Sequence, residues 1–234
     1  MALKNKKIVV VGGATGIGFA VAGKALDAGA KVLIASRSQE SLQAALCRLG
    51  PGASADRVDA GDEQSVRDFF RRVGSFDHLA MIIKAALPHD TFLSSDLNAV
   101  RAAFETKFWG QYRLARHAAE WLRPDGSMVF TSGVASRRAT PGMSVVSAMN
   151  AATEALARVL AVELAPIRVN TVSPGLVDAR PLDPAQPERL QKLVQYVPLA
   201  RLGGTAEIAE AYLYLFGNAY TTGSVMVVDG GVAC

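Results

Sequence analysis

The first residues able to do chemistry are the glycines of Val11-Gly12-Gly13-Ala14-Thr15-Gly16-Ile17-Gly18, which follow an apolar run and open a stretch of helical period. In that setting glycines permit a tight turn, let backbone approach a pyrophosphate, and leave its charge at a helix N-terminus. The spacing predicts a dinucleotide site at Gly12, Thr15, Gly16, Ile17 and Gly18, against the alternative of a plain glycine-rich turn. The end of the second apolar run, Ser36-Arg37-Ser38, bears on which dinucleotide fits. An acidic residue there would bind a ribose 2′-hydroxyl, whereas a cation accommodates a 2′-phosphate. No carboxylate occurs before Glu40 and the planar fork of Arg37 suits phosphate, so NADP(H) is favoured over NAD. The competing reading of Arg37 is an ordinary solvated side chain.

Positioning these groups requires elements in alternation, and short β-branched runs do alternate with longer stretches of helical period. Strands are predicted at Lys7–Val11, Lys31–Ala35, Ala55–Val58, His78–Ile83, Ser127–Thr131, Arg168–Val172 and Ser224–Val228. Helices are predicted from Gly16 to Ala28, Gln39 to Leu49, Asp62 to Val73, Leu97 to Leu122, Val146 to Leu164, and from a cap at Thr205 to Phe216. This βα alternation, with no linker, repeat or low-complexity segment, predicts one domain over 1–234: a doubly wound α/β sheet of seven mainly parallel strands, with helices on both faces and right-handed crossovers.

With 234 residues, 50% of them hydrophobic and 20% charged, the chain can bury a sizeable core and is neither disordered nor fibrous. A net charge of +4 suits an anionic ligand such as a phosphorylated cofactor, while no Lys/Arg block interleaved with aromatics points to nucleic acid. Cys47 and Cys234 show no paired spacing, so neither a disulfide framework nor a metal site is expected, and reduced thiols suit a cytoplasmic protein. Lys4, Lys6 and Lys7 before the run Ile8–Val21 mimic a signal peptide, but Gly12, Gly13, Gly16 and Gly18 break the run, and Lys24 and Asp27 follow. No apolar segment reaches about 20 residues unbroken, so no membrane span is expected.

With these residues assembled, the chain resembles the short-chain dehydrogenase/reductase family, whose fold is Rossmann-type, over essentially its full length. The family's GxxxGxG turn matches at Gly12, Gly16 and Gly18, and Asp59, followed by Ala60, stands where members bind the adenine. Ser173-Pro174-Gly175, with Val177 just beyond, matches the Pro-Gly turn that lies against the nicotinamide. Pro198-Leu199-Ala200-Arg201-Leu202 and Val228-Asp229-Gly230-Gly231 match the C-terminal signatures. The resemblance implies an oxidoreductase using NADP(H) on a small molecule. It also implies a homodimer or homotetramer formed through the two long helices and the last strand.

The resemblance fails at the catalytic positions. The family uses a Tyr acid/base, a Ser that holds the substrate oxygen, a Lys four residues after the Tyr, and an Asn on the preceding long helix. Val146-Ser147-Ala148-Met149-Asn150-Ala151-Ala152 aligns with the family's Tyr-x-x-x-Lys-Ala-Ala, so Val146 stands for the tyrosine and Asn150 for the lysine. Thr131-Ser132-Gly133-Val134 places Gly133 at the catalytic serine, and Thr106-Lys107-Phe108-Trp109-Gly110 places Lys107 at the asparagine. Two changes offset each other, since one cation and one amide remain but exchange helices. Asn150 is then expected to bond the nicotinamide ribose with Lys107 approaching the same pocket, the alternative being that Lys107 snorkels to solvent. A Lys107 nitrogen more than about 8 Å from Asn150 would refute the exchange, a limit on the order of the Debye length.

Val146 has no proton to give, and losing general acid catalysis typically costs about 10²–10⁴ in rate. Three ways out remain: an already activated substrate such as an iminium ion, another acid, or binding without turnover. Lys107, His89, Ser144, Arg137 and Tyr196 are the candidate acids, with surface or core roles as the bland reading of each, and Arg137 with Arg138 could select an anionic substrate. After the fourth strand, Met81-Ile82-Ile83-Lys84-Ala85-Ala86 replaces the family's Asn-Asn-Ala-Gly, and either Lys84 or Ala86 holds the glycine position. Val177 to Val197, with Pro181, Pro184 and Pro187, is expected to form a lid. The leading function is an oxidoreductase with an atypical site acting on a carbonyl or an activated C=N or C=C bond. The alternative is a non-catalytic NADP(H)-binding or regulatory protein on the same scaffold.

Overall fold

The structure is a computed structural model and describes residues 3–86, 91–179 and 194–234. In chain order its elements are β1 (Lys7–Val11), α1 (Gly16–Asp27), β2 (Lys31–Ser36), α2 (Gln39–Leu49), β3 (Ala53–Arg57), α3 (Glu63–Val73) and β4 (Phe76–Met81). There follow α4 (Leu97–Phe104), a π-helical turn (Glu105–Trp109), α5 (Gly110–Ala118), β5 (Leu122–Thr131), α6 (Ser144–Glu163) and β6 (Arg168–Pro174). The chain closes with β7 (Val177–Asp178), β8 (Gly203–Gly204), α7 (Thr205–Gly217) and β9 (Val225–Val228).

Strands run parallel in the order β3-β2-β1-β4-β5-β6-β9, the doubly wound sheet that the sequence predicts, and β7 pairs with β8 apart from it. Strand side chains point alternately to opposite faces, and β1 shows the result. Ile8 and Val10 join Val21 and Ala25 of α1, Leu42 of α2 and Tyr212 of α7, whereas Val9 and Val11 join Phe69 and Phe70 of α3, Leu114 of α5 and Ala157 of α6. Strands covered on both faces read as unbroken apolar runs, which is why Ile8-Val9-Val10-Val11 shows no alternation.

Several boundaries differ from expectation; β3, for example, is Ala53–Arg57 rather than Ala55–Val58. The helix expected from Leu97 to Leu122 is interrupted by the π-helical turn and stops at Ala118, and Leu122 opens β5. A buried leucine satisfies either period; strand pairing claims it, since Phe76 N donates to the Trp121 carbonyl at 3.2 Å and Phe76 pairs with Leu122. β4 begins at Phe76 and ends at Met81 rather than running from His78 to Ile83, because the chain leaves the sheet once Ile82 N has bonded the Val11 carbonyl. The cap of α7 is Gly204, whose N–H donates to the Glu207 carboxylate at 2.8 Å, and Thr205 is the first helical residue. α6 is long and apolar enough, by length and composition, to cross a membrane, beyond what the sequence pattern predicts. Here its Ala157 and Ala161 pack instead with Met128, Phe130 and Val169 of the sheet.

Candidate active site

The turn between β1 and α1 leaves no room for a side chain at Gly12 or Gly18. Gly12 has φ of +83°, and a Cβ there would stand 2.0 Å from the Ile82 carbonyl oxygen; one on Gly18 would stand 2.1 Å from the Gly12 carbonyl oxygen. Both obstacles are backbone, so no rotamer change relieves them. Thr15 caps α1 in extended backbone with no hydrogen bond from its own side chain, Ile17 lies in the first turn, and that turn holds no acidic residue. Its amides and the positive end of the helix dipole therefore meet no anion from their own helix. Backbone laid bare by glycine at a helix start is what a pyrophosphate needs, so Gly12, Thr15, Gly16, Ile17 and Gly18 fit a dinucleotide.

The neighbouring turns extend this edge. Ser36 Oγ donates to the Ser38 carbonyl at 3.3 Å, and Arg37 beside it is exposed. Asp59 Oδ1 accepts from Gly61 N at 2.9 Å, and the Ala60 carbonyl accepts from Arg113 at 3.4 Å. After Pro174, Gly175 N donates to the Val228 carbonyl at 3.0 Å, and a Cβ on Gly175 would stand 2.6 Å from Asp229 Cα; Val177 then opens β7. Past β4, Lys84 is exposed and Ala85 buried.

Beside this edge, β5, α5 and α6 bring together a polar cluster. The π-helical turn, a feature that recurs at functional sites, carries Lys107 inward. Lys107 Nζ donates to Asn150 Oδ1 at 2.8 Å and to the Ser132 carbonyl at 3.2 Å, and Asn150 Nδ2 donates to the Gly133 carbonyl at 3.1 Å. Both side chains are buried, and burial pushes the Lys107 amine down to about 8. Lys107 and Asn150, which the sequence reading expects to share one pocket, therefore meet in one hydrogen bond.

Gln111 holds the ends of this cluster together. Its Nε2 donates to the Lys107 carbonyl at 3.0 Å and to the Thr131 carbonyl at 3.2 Å, while its Oε1 accepts from Thr131 N at 2.9 Å. One turn beyond Asn150 on α6, Glu154 Oε1 accepts from Ser132 Oγ at 2.8 Å and from Ser136 Oγ at 2.7 Å. Arg137 stands 3.6 Å from the other oxygen. Ser132 Oγ and Ser136 Oγ thus share Glu154, and Ser136 Oγ also lies 3.1 Å from the Gly133 carbonyl. Tyr212 lies 2.6 Å from Thr131 Oγ1, and burial raises its pKa.

Gly133 offers no side chain, and a Cβ there would stand 3.0 Å from Asn150 Nδ2; Val146 is buried one turn before Asn150. Of the other candidate acids, Ser144 is exposed at the start of α6. Tyr196 is exposed with the Arg138 guanidinium 5.5 Å over its ring, and Arg138 Nη1 also donates to the Tyr196 carbonyl at 3.2 Å and the Val232 carbonyl at 2.9 Å. His89 and most of the expected lid, residues 180–193, lie outside the described residues.

Residues 12–233 match the family described as enoyl-(acyl carrier protein) reductase. A short-chain dehydrogenase/reductase of Acremonium sp is 35% identical over 98% of this chain and 96% of its own length. The chain belongs to the short-chain dehydrogenase/reductase family. Membership places it in a family of oxidoreductases. Among solved members of this family, a small-chain dehydrogenase in complex with NADPH is 34% identical with a TM-score of 0.83, covering 98% of this chain and 99% of that one. A reductase/Diels-Alderase from Malbranchea aurantiaca is 27% identical with a TM-score of 0.88, covering 99% and 96%.

Sequence reasoning names Lys107, Asn150, Gly133 and Val146 but misses Glu154, Ser132, Ser136 and Gln111. Glu154 carries a usable signal, standing four residues after Asn150 and hence on the same helix face. Gln111 has the same relation to Lys107. The two serines carry no comparable signal, because their partner lies on another element.

Proposed function

We propose that this short-chain dehydrogenase/reductase is an NADPH-dependent oxidoreductase that transfers hydride to a carbonyl or to an activated C=N or C=C bond, in a cleft without the usual hydroxyl donors. The observation that carries this reading is the buried Lys107–Asn150 hydrogen bond of 2.8 Å beside a backbone cradle that only glycine permits. The exposed Arg37 at the end of β2 supports NADP(H) over NAD(H), as does a relative solved in complex with NADPH. When bound, a reduced nicotinamide supplies the hydride.

The chain's own residues do the rest. Asn150, held by the Gly133 carbonyl, stands at the family's ribose-binding lysine position and presents its amide there. Its Oδ1 orients Lys107, whose amine is cationic below pH about 8. At neutral pH this ammonium places a fixed positive charge near the charge that develops as hydride arrives, in a site shielded from water. It also has a proton within reach of its hydrogen-bond partners.

Incubating the protein with NADPH and a panel of ketones, imines and enones is the test. Oxidation of NADPH is expected with the activated members and little with simple ketones. The second reading, a protein that binds NADP(H) without turnover, is favoured by Gly133 and Val146. Saturable NADPH binding with no panel member consuming it would select that reading, and absence of binding would exclude both.

A further inference from the structure

Lys107 is an unusual buried lysine. A lysine in a protein interior is normally paired with a carboxylate, because an unpaired ammonium there loses its hydration without compensation. The described residues place no carboxylate within ion-pair distance of Lys107; its acceptors are two neutral oxygens, Asn150 Oδ1 and the Ser132 carbonyl. The one buried carboxylate nearby, Glu154, is turned to Ser132, Ser136 and Arg137. Around Lys107 the hydroxyl positions of the family are vacated, with Gly133 facing Asn150 and Val146 buried one turn away. The lysine is not sealed, since 8% of its surface stays open.

An amine in a desolvated pocket, without an anion to hold its proton, is the arrangement that makes lysine a nucleophile toward carbonyls. We propose that Lys107 condenses with the carbonyl of an α,β-unsaturated aldehyde or ketone, so that the protonated Schiff base replaces the missing acid as electron sink. The inference rests on the reductase reading above and names its substrate class. The Lys107 nitrogen forms a bond to the carbonyl carbon, the carbon–oxygen bond breaks, and water leaves. The resulting C=N takes up one proton, and its single N–H keeps the hydrogen bond to Asn150 Oδ1. Hydride from a reduced nicotinamide dinucleotide adds to the β-carbon; the C=C pair shifts to form the new C=C of an enamine, and the C=N pair comes to rest on nitrogen. The α-carbon then takes a proton from water, and a second water hydrolyses the C=N bond. The products are the saturated carbonyl compound, the oxidised dinucleotide and free Lys107. A saturated aldehyde would form the same C=N, and hydride on its carbon would leave Lys107 permanently alkylated.

The test begins without any dinucleotide. The protein is incubated with cinnamaldehyde and sodium cyanoborohydride, and its peptides are read by mass spectrometry. The expected result is one reduced adduct on the peptide carrying Lys107, formed ahead of adducts on exposed lysines such as Lys31 and Lys84. Exposed lysines modified while Lys107 is not would overturn the proposal. NADPH oxidation by cinnamaldehyde is then compared in the wild type, Lys107→Arg and Lys107→Met. Arginine keeps charge and donors but cannot form the imine, so both variants are expected to lose the reduction. Enal reduction that persists in Lys107→Arg overturns the proposal, as does a Lys107 adduct in a wild type that consumes no NADPH. Consumption of NADPH with Lys107 never trapped overturns the covalent role while leaving the reductase reading intact.

Discussion

Arg37 and Lys107 are two cations with opposite surroundings. Arg37 is exposed just past the end of β2, and under the proposed NADPH dependence a 2′-phosphate would be its partner. A charged hydrogen-bonded contact of that kind is worth about 1.5–3 kcal/mol. Arg37→Ala should therefore weaken NADPH binding by roughly ten- to a hundredfold and leave NADH binding unchanged, as calorimetry with both dinucleotides will show. Lys107 is buried, and its folded pKa of about 8 lies below its ordinary value of 10.5. The unfolded chain then holds more protons than the folded one between those values, so stability rises with pH across that window. The gain is at most about 3 kcal/mol, and none of it arises below pH 8. Denaturant titrations from pH 8 to 10.5 should show this rise in the wild type and its absence in Lys107→Met. A flat difference between the two proteins would show that the amine is solvated.

At the scale of elements, the site depends on how a few of them approach one another. The β1–α1 turn meets the end of β4 backbone to backbone at Gly12, and Gly12→Ala brings a Cβ 2.0 Å from the Ile82 carbonyl at a left-handed φ. Neither obstacle can relax locally, so the variant should lose about 2 kcal/mol or more and its dinucleotide binding with it, measured by thermal melting and fluorescence titration. On the other side, α6 reaches the end of β5 through Glu154. Glu154→Ala leaves the buried Ser132 Oγ without its acceptor, whereas the half-buried Ser136 Oγ keeps the Gly133 carbonyl at 3.1 Å; one unsatisfied buried group of this kind costs about 1–3 kcal/mol. Because Ser132 also receives Lys107 through its carbonyl, the variant should lower kcat more than it raises KM for any substrate the panel identifies. Equal effects on both would confine Glu154 to stability.

At the scale of the whole molecule, the end of the sheet away from the site carries its own titration. His78 in β4 is buried, stacked on Phe216 at 5.2 Å, with Nδ1 2.9 Å from Ser127 Oγ, and burial pushes its pKa down to about 4. Below its ordinary value of 6.5 the unfolded chain takes up a proton that the fold refuses. Stability should therefore fall as pH drops from 6.5 toward 4, by on the order of 3 kcal/mol, and a His78→Gln variant should not show that loss. Chemical denaturation across that range is the check. We also propose that copies assemble through α5, α6 and the last strand, where Val159 and Val162 of α6, and Trp109 in the π-helical turn just before α5, are exposed apolar residues. Val162→Glu should shift sedimentation from dimer or tetramer toward monomer.

The sequence by itself determined the sheet and the glycine turn. These are local matters: a short unbroken β-branched run or a glycine before a helix carries its meaning within about ten neighbouring residues. It could not determine that Leu122 belongs to a strand, since helix and strand both accept a buried leucine and only pairing with Phe76 chooses. Nor could it determine that Lys107 meets Asn150 or that Glu154 gathers Ser132 and Ser136. Those groups are 43, 22 and 18 residues apart in the chain. Their meeting depends on the packing of α5 and α6 over β5, and a hydrogen bond is made by distance in space, which no spacing along the chain encodes.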